Sequence, residues 1–192
     1  MNATYWSSRY KNHETAWDIG DASRPLIHLF EKIKNKNLNI LIPGCGNAYE
    51  ADYLFQNGFR NVFIMDIAIE PLIEFRQRNK TFPKQHILHE DFFKHEGQYD
   101  LIVEQTFFCA ISPEMRQDYV KKCHELLKEK GQVMGVLFNR DFDGGPPFGG
   151  SKAEYLRLFK SHFSSVTIKD CNHSIKPRAG SEIIINCEKA IS

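Results

Sequence analysis

Two glycines and an aspartate in the first half of the chain could together bind a nucleoside. Gly44-Cys45-Gly46 follows the apolar run Asn39–Pro43, and glycines there let the backbone turn tightly and approach a ligand closely. Asp66 ends the next apolar run, Asn61–Asp66, where a carboxylate can accept hydrogen bonds from both hydroxyls of a ribose. Alternatively, the glycines form an ordinary strand-to-helix turn and Asp66 is a charge at a helix N-terminus. Their combination favours an adenosine-type ligand.

An acid and an aromatic residue follow the third apolar run. Asp91-Phe92-Phe93 comes shortly after Gln85–His89. A carboxylate at this edge can accept a hydrogen bond from the exocyclic amine of adenine, while an aromatic ring packs on the base. Alternatively, Asp91 is a solvated turn residue and both phenylalanines belong to the core. The segment is therefore a second candidate contact for the same ligand.

The N-terminal segment Tyr5–Asp21 is polar but carries three large aromatic residues. These are Trp6, Tyr10 and Trp17, which include both tryptophans of the chain. Aromatic faces attract a cation by about 0.5–2 kcal/mol, so the segment could form a lid over a cationic ligand such as a sulfonium and exclude water. The alternative is an ordinary packing role for the three rings.

Seven apolar runs, most of them separated by helical patterns, predict the framework that positions these residues. The predicted strands are Asn39–Pro43, Asn61–Asp66, Gln85–His89, Tyr99–Glu104, Gln132–Phe138, Ser165–Lys169 and Glu182–Glu188. Predicted helices follow the glycine pair, begin at Ile69, run from Ser112-Pro113 to a stop at Gly131, and begin at the capping box Ser151–Glu154. Apolar strands alternating with helices predict a parallel sheet covered on both faces.

The last two predicted strands have no helix between them, and their connector contains Pro177 and Gly180. The final strand is therefore expected to run antiparallel. We predict the α/β, Rossmann-like sheet of class I methyltransferases, mostly parallel with an antiparallel last strand. Residues 1–35 are expected to form an N-terminal lid and residues 36–192 a single binding domain.

The composition narrows the classes of function. Lys and Arg number 25 against 24 Asp and Glu, so the chain lacks the basic excess of a nucleic-acid binder. No apolar run approaches the roughly 18 residues of a membrane span, and the N-terminus does not resemble a signal peptide. Five cysteines without a CxxC pair fit reduced thiols in the cytoplasm, and no clustered His, Asp or Glu predicts a metal site.

Several motifs in order resemble the thiopurine S-methyltransferase superfamily over nearly the whole chain. They are W-x2-RY-x6-WD-x-G at Trp6–Gly20, PGCG at Pro43–Gly46, DFF at Asp91–Phe93, YDLI at Tyr99–Ile102, TFFCAI at Thr106–Ile111 with Pro113 and Arg116, and GGPPF at Gly144–Phe148. The last of these is most similar to the branch of thiol and halide methyltransferases.

The resemblance implies S-adenosylmethionine as cofactor and methyl transfer to a small-molecule acceptor, a thiol or a halide or chalcogen nucleophile. The implied cofactor contacts are Trp6, Tyr10, Trp17, Gly44, Gly46, Asp66, Ile67, Asp91, Phe92 and Gln105. Gln105 stands where relatives often carry Tyr, and Glu104 where they carry Asp. Both residues stand at the end of the fourth predicted strand, so this departure affects the cofactor contact expected there and the choice of acceptor.

The acceptor pocket is predicted between the lid, the pair Phe107 and Phe108, and the loop Arg140–Phe148. Arg140 could bind an anionic acceptor, or instead pair with Asp141 or Asp143. Methyl transfer is an in-line displacement that mainly requires alignment and exclusion of water, so no catalytic base is predicted.

Two alternatives to methyl transfer come from other functional classes. One is a non-catalytic protein of the same fold that binds an adenosine ligand. The other is an NAD-dependent oxidoreductase, which Tyr49 disfavours because a dinucleotide fingerprint has its third glycine there. A monomer is expected.

Overall fold

A seven-stranded sheet forms the centre of the protein, in a computed structural model that describes residues 2–191. Its strands are β1 (Ile40–Pro43), β2 (Val62–Asp66), β3 (Ile87–His89), β4 (Tyr99–Gln105), β5 (Leu127–Phe138), β6 (Ser165–Asp170) and β7 (Glu182–Glu188). They lie in the order β3-β2-β1-β4-β5-β7-β6. Strands β1 to β5 pair in parallel, and β7 runs antiparallel to both β5 and β6. The predicted sheet with its antiparallel last strand is confirmed.

Six α-helices surround the sheet: α1 (Ala3–Lys11), α2 (Arg24–Phe30), α3 (Tyr49–Gln56), α4 (Ile69–Arg78), α5 (Arg116–Leu126) and α6 (Lys152–Lys160). Alternate residues of β1 point to opposite faces, so Ile40 and Ile42 pack into one apolar core with α2, α3 and α4. Leu41 packs into a second core with α5 and α6. The prediction of helices on both faces is confirmed. Among residues 2–191, no helix has the length and apolarity that crossing a membrane requires.

Two local predictions about element boundaries have different outcomes. The Ser151 hydroxyl accepts a hydrogen bond from the Glu154 N–H and begins α6, as the capping pattern predicts. The predicted helix stop at Gly131 is wrong, because α5 ends at Leu126 and β5 begins at Leu127. Leu127 pairs with Tyr99 of β4, so the strand begins four residues before Gly131.

Part of residues 1–35, the segment expected to form a lid, lies inside the packed core. Leu26 and Phe30 of α2 are 0% and 1% exposed and belong to the core beneath the sheet. Burial of α2 therefore makes residues 24–30 part of the packed domain. The segment that covers the edge of the sheet consists of α1 and residues 12–21.

Parallel strands bring their carboxyl ends to one edge, and the loops that leave that edge converge. Strands β1, β2 and β4 end there at Pro43, Asp66 and Gln105. The predicted cofactor residues follow these strand ends, so the topology gathers side chains that are far apart in the sequence.

Candidate active site

A cavity of about 650 Å³ opens at the carboxyl edge of the sheet. Its wall is built from the N-terminal segment, the loops after β1 to β5, and the connector between β6 and β7. Every predicted cofactor residue lines it: Trp6, Tyr10, Trp17, Gly44, Gly46, Asp66, Ile67, Asp91, Phe92 and Gln105. The size and concave shape are those of a small-molecule site.

The loop after β1 uses two glycines in the left-handed region. Gly44 has φ +56° and Gly46 has φ +51°. A Cβ on Gly44 would lie 2.4 Å from a ring carbon of Phe107, and one on Gly46 would lie 2.9 Å from the Tyr10 hydroxyl oxygen. Both positions therefore require glycine for conformation and for space, and the loop presents bare backbone to the cavity.

Replacing Gly44 by Ala is expected to weaken cofactor binding. In Gly44→Ala the free loop is expected to relax away from its left-handed conformation, and restoring it on binding costs about 1–3 kcal/mol. This predicts a roughly tenfold loss of affinity for S-adenosylhomocysteine by calorimetry. Gly58→Ala is the matched control, because Gly58 also has positive φ (+89°) but nothing within 4 Å of the added Cβ. A loss of affinity of the same size in both variants would contradict the role of Gly44.

Asp66 binds the glycine loop and remains open to the cavity. Its Oδ2 accepts a hydrogen bond from the Gly46 N–H at 2.9 Å, and its Oδ1 accepts from the Ala68 N–H at 2.8 Å. The side chain is buried, and burial raises the pKa of Asp66 while the backbone N–H groups oppose this rise. Each carboxylate oxygen retains a second lone pair, so Asp66 can also accept from ribose hydroxyls.

The turn after β3 places an acid and a ring at the cavity wall. The Asp91 Oδ1 accepts a hydrogen bond from the Phe93 N–H at 3.0 Å, which fixes the turn. The Phe92 ring is buried and packs edge-on against Phe107, with ring centroids 5.3 Å apart. The second Asp91 oxygen lies 3.8 Å from the exposed Lys94 ammonium and is available to an amine donor.

The three lid aromatics form one cluster over the glycine loop. Trp17 packs edge-to-face against Trp6 and Tyr10, at centroid distances of 5.6 and 5.8 Å. Burial and the nearby Asp66 raise the pKa of Tyr10, so its phenol stays neutral. The Asn47 amide donates a hydrogen bond to the Asp18 carboxylate, which connects the lid to the glycine loop.

A buried glutamate organises the turn after β4. The Glu104 Oε1 accepts hydrogen bonds from the N–H groups of Phe107 and Phe108, at 2.9 and 2.8 Å. Its Oε2 accepts from the Tyr119 hydroxyl at 2.6 Å. Thr106 adopts φ +62°, an unfavourable conformation for a β-branched residue, within this turn. Glu104 thus determines where the Phe107 ring lies.

The structure separates the two predicted acceptor aromatics. Phe107 lines the cavity, but Phe108 does not, because it is 1% exposed and packs in the core against Tyr119 and Tyr155. Its assignment to the acceptor pocket is therefore corrected. Arg116, a residue of the TFFCAI signature without a predicted role, lies over the Phe108 ring and donates to the Gly149 carbonyl, so it holds the loop after β5.

Arg140 lies in that loop and lines the cavity with its side chain largely exposed. Its Nε donates to the Asp141 carbonyl oxygen at 3.3 Å, and its guanidinium lies 4.7 Å from the Phe142 ring centroid. Within residues 2–191 it forms no ion pair, so the alternative pairing with Asp141 or Asp143 is absent there. The cationic group is available to a ligand.

The two cysteines that line the cavity are poor nucleophiles. Burial raises the pKa of the Cys45 thiol well above its usual value, and Asp66 adds to the effect. Burial and Glu104 raise the pKa of Cys109 to about 12. Neither thiol is therefore a ready nucleophile for chemistry in the cavity. Among residues 2–191, no group of three or more His, Cys, Asp or Glu is arranged to hold a metal ion.

Arg178 is a polar cavity residue that sequence reasoning missed. It lies in the connector between β6 and β7 and donates a hydrogen bond from Nη2 to the Trp17 carbonyl oxygen at 2.9 Å. No local pattern could have revealed it, because its partner is 161 positions away. The presence of an arginine in a short proline-containing connector was the only available signal.

The gathered groups fit an adenosine ligand with a cationic tail. Asp66 and Asp91 lie at the ends of β2 and β3, Gly44 and Gly46 present bare backbone to the same cavity, and the lid contributes aromatic rings. Arg140 follows β5, on the other side of β1 in the strand order. The cavity therefore has a nucleoside end and a second, cationic end.

The chain is similar in sequence to proteins described as methyltransferases. A model of the family described as Thiopurine S-methyltransferase (TPMT) matches residues 1–184. The chain is 32% identical over 184 residues to "Probable thiol methyltransferase 2" of Arabidopsis thaliana, which covers 92% of this chain and 81% of that protein. It is 31% identical to "Thiocyanate methyltransferase 1" of Brassica oleracea, with the same coverage.

Among solved structures, the fold is similar to that of the 1,6-didemethyltoxoflavin-N1-methyltransferase of Burkholderia thailandensis, crystallised with S-adenosylhomocysteine. The TM-score is 0.75 at 17% identity, covering 98% of this chain and 87% of that one. This similarity agrees with the fold described above, and the family match over residues 1–184 shows the family. The chain belongs to the thiopurine S-methyltransferase family of S-adenosylmethionine-dependent methyltransferases.

Proposed function

We propose that the enzyme methylates a small thiol, or a similarly soft anionic nucleophile, bound at the Arg140 end of the cavity. The observation that carries this proposal is the combination of an available guanidinium with an apolar surround. Phe138, Phe142, Pro146 and Pro147 line the same end. A guanidinium beside apolar walls favours a compact anion over a strongly hydrated polar substrate.

The geometry supports the cofactor-binding roles that we propose for this chain. Asp66 accepts from the ribose hydroxyls, and Asp91 with Phe92 contacts the adenine. The rings of Trp6, Tyr10 and Trp17 surround the sulfonium, while Ile67 and Gln105 complete the wall. S-adenosylmethionine, when bound, supplies an electrophilic methyl group, and its thioether product leaves as S-adenosylhomocysteine.

The protein contributes alignment and exclusion of water rather than a base. The Cys45 and Cys109 thiols and the Tyr10 phenol stay protonated at neutral pH, because burial raises the pKa of each. None of these groups can accept the proton of a thiol. Arg140 instead favours the thiolate form of the acceptor, since a nearby cation lowers the pKa of a thiol. An acceptor that arrives as an anion needs no base.

The names of similar proteins support this acceptor class. The Arabidopsis thaliana relative is described as a thiol methyltransferase and the Brassica oleracea relative as a thiocyanate methyltransferase. Both names describe soft sulfur nucleophiles. A near-neutral chain with a formal net charge of +1 also favours a small molecule over nucleic acid as the acceptor.

Product detection by mass spectrometry tests the proposal. The purified enzyme and methyl-labelled S-adenosylmethionine are incubated with one acceptor at a time: an aromatic thiol, hydrosulfide, thiocyanate, iodide, a selenium or tellurium anion, a phenol or an amine. The expected result is a labelled S-methyl product from at least one sulfur acceptor. Methylation of oxygen or nitrogen acceptors alone would overturn the proposed acceptor class. Cofactor binding without any product would favour a non-catalytic ligand-binding protein of the same fold.

Arg140→Ala is expected to raise KM for an anionic acceptor and leave KM for a neutral acceptor unchanged. The side chain is exposed, so the loss is limited to about 1 kcal/mol, or roughly fivefold in KM. Lys160→Ala is the control, because Lys160 is exposed on α6 and does not line the cavity. Steady-state kinetics at low ionic strength measures the effect, and an equal change for both acceptor types would exclude a charge role.

We also propose that the enzyme acts as a cytoplasmic monomer. All five cysteines are free thiols, and four of them are buried, as is typical of a reducing compartment. Analytical ultracentrifugation tests the monomer, and fractionation of the source cells tests the compartment.

A further inference from the structure

Arg178 connects two parts of the chain that are far apart in sequence. It ends the single helical turn Lys176–Arg178 in the connector between β6 and β7, and its Nη2 donates to the Trp17 carbonyl oxygen at 2.9 Å. A hydrogen bond from a guanidinium is charge-assisted and stronger than one between neutral groups. The carbonyl belongs to the lid residue whose indole packs against Trp6 and Tyr10.

The Arg178 side chain is held from its other side by a buried carboxylate. Its Nη1 lies 3.6 Å from the Glu182 Oε1, and the two side chains are 15% and 5% exposed. The guanidinium also lies 5.7 Å from the Phe138 ring centroid. The Arg178 carbonyl accepts hydrogen bonds from the Ser181 N–H and hydroxyl. Backbone and side chain are thus both oriented before any ligand binds.

The other polar links of the lid lie at the nucleoside end. Asn47 of the glycine loop donates to Asp18, and the Lys11 ammonium lies 3.3 Å from a carboxylate oxygen of Glu70 on α4. Both partners, the glycine loop after β1 and α4 after β2, belong to the cofactor side. The hydrogen bond from Arg178 contacts the lid from the opposite side, near β5 and β7 and the acceptor end of the cavity.

We propose that Arg178 is a positioning residue that holds the lid closed over the acceptor end, with Glu182 orienting its guanidinium. The inference rests on the proposed function in that the methyl acceptor binds beneath this part of the lid. Loss of the bond lets the Trp17 backbone move away, which admits water and loosens the alignment of the acceptor. The nucleoside contacts are not affected.

Both tryptophans of the chain lie in the lid, so tryptophan fluorescence reports on the lid alone. Arg178→Met removes the hydrogen bond and keeps a long apolar side chain. Lys176→Ala is the matched control, since Lys176 is an exposed cation of the same turn. We expect acrylamide quenching of the ligand-free enzyme to rise about twofold in Arg178→Met and to stay at the parent value in Lys176→Ala.

Kinetics provides the second readout. In Arg178→Met, kcat is expected to fall about tenfold and the acceptor KM to rise, while the Kd for S-adenosylhomocysteine changes by less than about threefold. In Arg178→Lys, kcat and the acceptor KM should lie between those of the parent and of Arg178→Met. An ammonium can contact the Trp17 carbonyl or Glu182, but it lacks the forked guanidinium that contacts both at once. Arg178→Met also leaves the Glu182 carboxylate without its cationic partner. If the single variant does not fold, the double variant Arg178→Met/Glu182→Gln is measured in its place.

The outcomes separate this inference from the proposed function. Unchanged quenching in the folded Arg178→Met variant, or in the double variant that replaces it, would overturn the lid role, whatever happens to kcat. A fall in kcat with unchanged quenching would also overturn it and assign Arg178 to the chemistry. If the parent methylates no acceptor, the proposed function fails, while the quenching measurement still decides whether Arg178 holds the lid.

Discussion

Asp66→Ala is expected to lower the affinity for S-adenosylhomocysteine about 10–100-fold, from the loss of charge-assisted hydrogen bonds worth roughly 1.5–3 kcal/mol. Asp66 is 7% exposed, and its two oxygens already accept from the Gly46 and Ala68 N–H groups. The substitution therefore removes a ribose acceptor and also releases the glycine loop. Isothermal calorimetry on the folded variant measures the sum of the two effects.

A ligand lacking the ribose hydroxyls separates these contributions. The parent protein is expected to bind the 2′,3′-dideoxy analogue of S-adenosylhomocysteine at least about tenfold more weakly than S-adenosylhomocysteine itself. If Asp66 is the partner of the hydroxyls, Asp66→Ala should bind both ligands with nearly equal affinity. A preference for the hydroxylated ligand that persists in Asp66→Ala would show that another group binds the ribose. Gly58→Ala again serves as a control for a general loss of stability.

The nucleoside end could be predicted because its residues follow strand ends. In a parallel sheet, a residue just after an apolar strand lies at the carboxyl edge, and this does not depend on the sequence elsewhere in the chain. Gly44, Asp66 and Asp91 are therefore placed by local patterns alone, and the structure brings all three to one cavity. The fold followed from the same alternation of strands and helices.

The acceptor end could not be predicted as well, because it depends on irregular backbone. Phe107 and Phe108 are neighbours in a turn, where side chains follow neither the strand period nor the helix period. One ring faces the cavity and the other enters the core, and only the hydrogen bonds of Glu104 determine which. Arg178 depends on a tertiary contact across 161 positions, which leaves no local trace.

Glu104→Ala is expected to be among the most destabilising single substitutions near the site. It leaves the buried N–H groups of Phe107 and Phe108 and the Tyr119 hydroxyl without their acceptor, and the expected loss is about 2–4 kcal/mol of unfolding free energy. For a chain of this size the melting temperature should fall by about 5–15 °C. The turn that places Phe107 against Gly44 should loosen, so cofactor affinity should fall as well.

Glu104→Gln is the matched variant, because it preserves shape and removes the charge. Its amide oxygen can accept from both N–H groups and its NH₂ can donate to the Tyr119 oxygen, while the Tyr119 hydroxyl can turn to the Cys123 sulfur. Near pH 8 we therefore expect Glu104→Gln to be about as stable as the parent, within roughly 1 kcal/mol. Its cofactor affinity should be retained.

The two proteins should nevertheless differ in how stability depends on pH. Burial raises the pKa of Glu104 from 4.5 to about 7, so the native state binds a proton more tightly than the unfolded chain does. The contribution of Glu104 to stability is then fully present below about pH 4.5 and declines as pH rises through 7. Relative to Glu104→Gln, the parent should lose about 2–3 kcal/mol of unfolding free energy between about pH 5 and 8.

Urea unfolding of the parent and the variant at several pH values measures this difference directly. Other buried carboxylates such as Asp66 and Glu50 titrate in both proteins, so their contributions to the pH dependence of stability cancel in the difference. Glu129→Gln, which removes a carboxylate at an exposed position, is the control for the loss of one charge. A parent that gains stability over Glu104→Gln as the pH rises would mean that the hydrogen bonds to Glu104 outweigh its burial. In that case Glu104 would be an ionised anchor of the turn at all working pH values, and Glu104→Gln should then lose cofactor affinity together with stability.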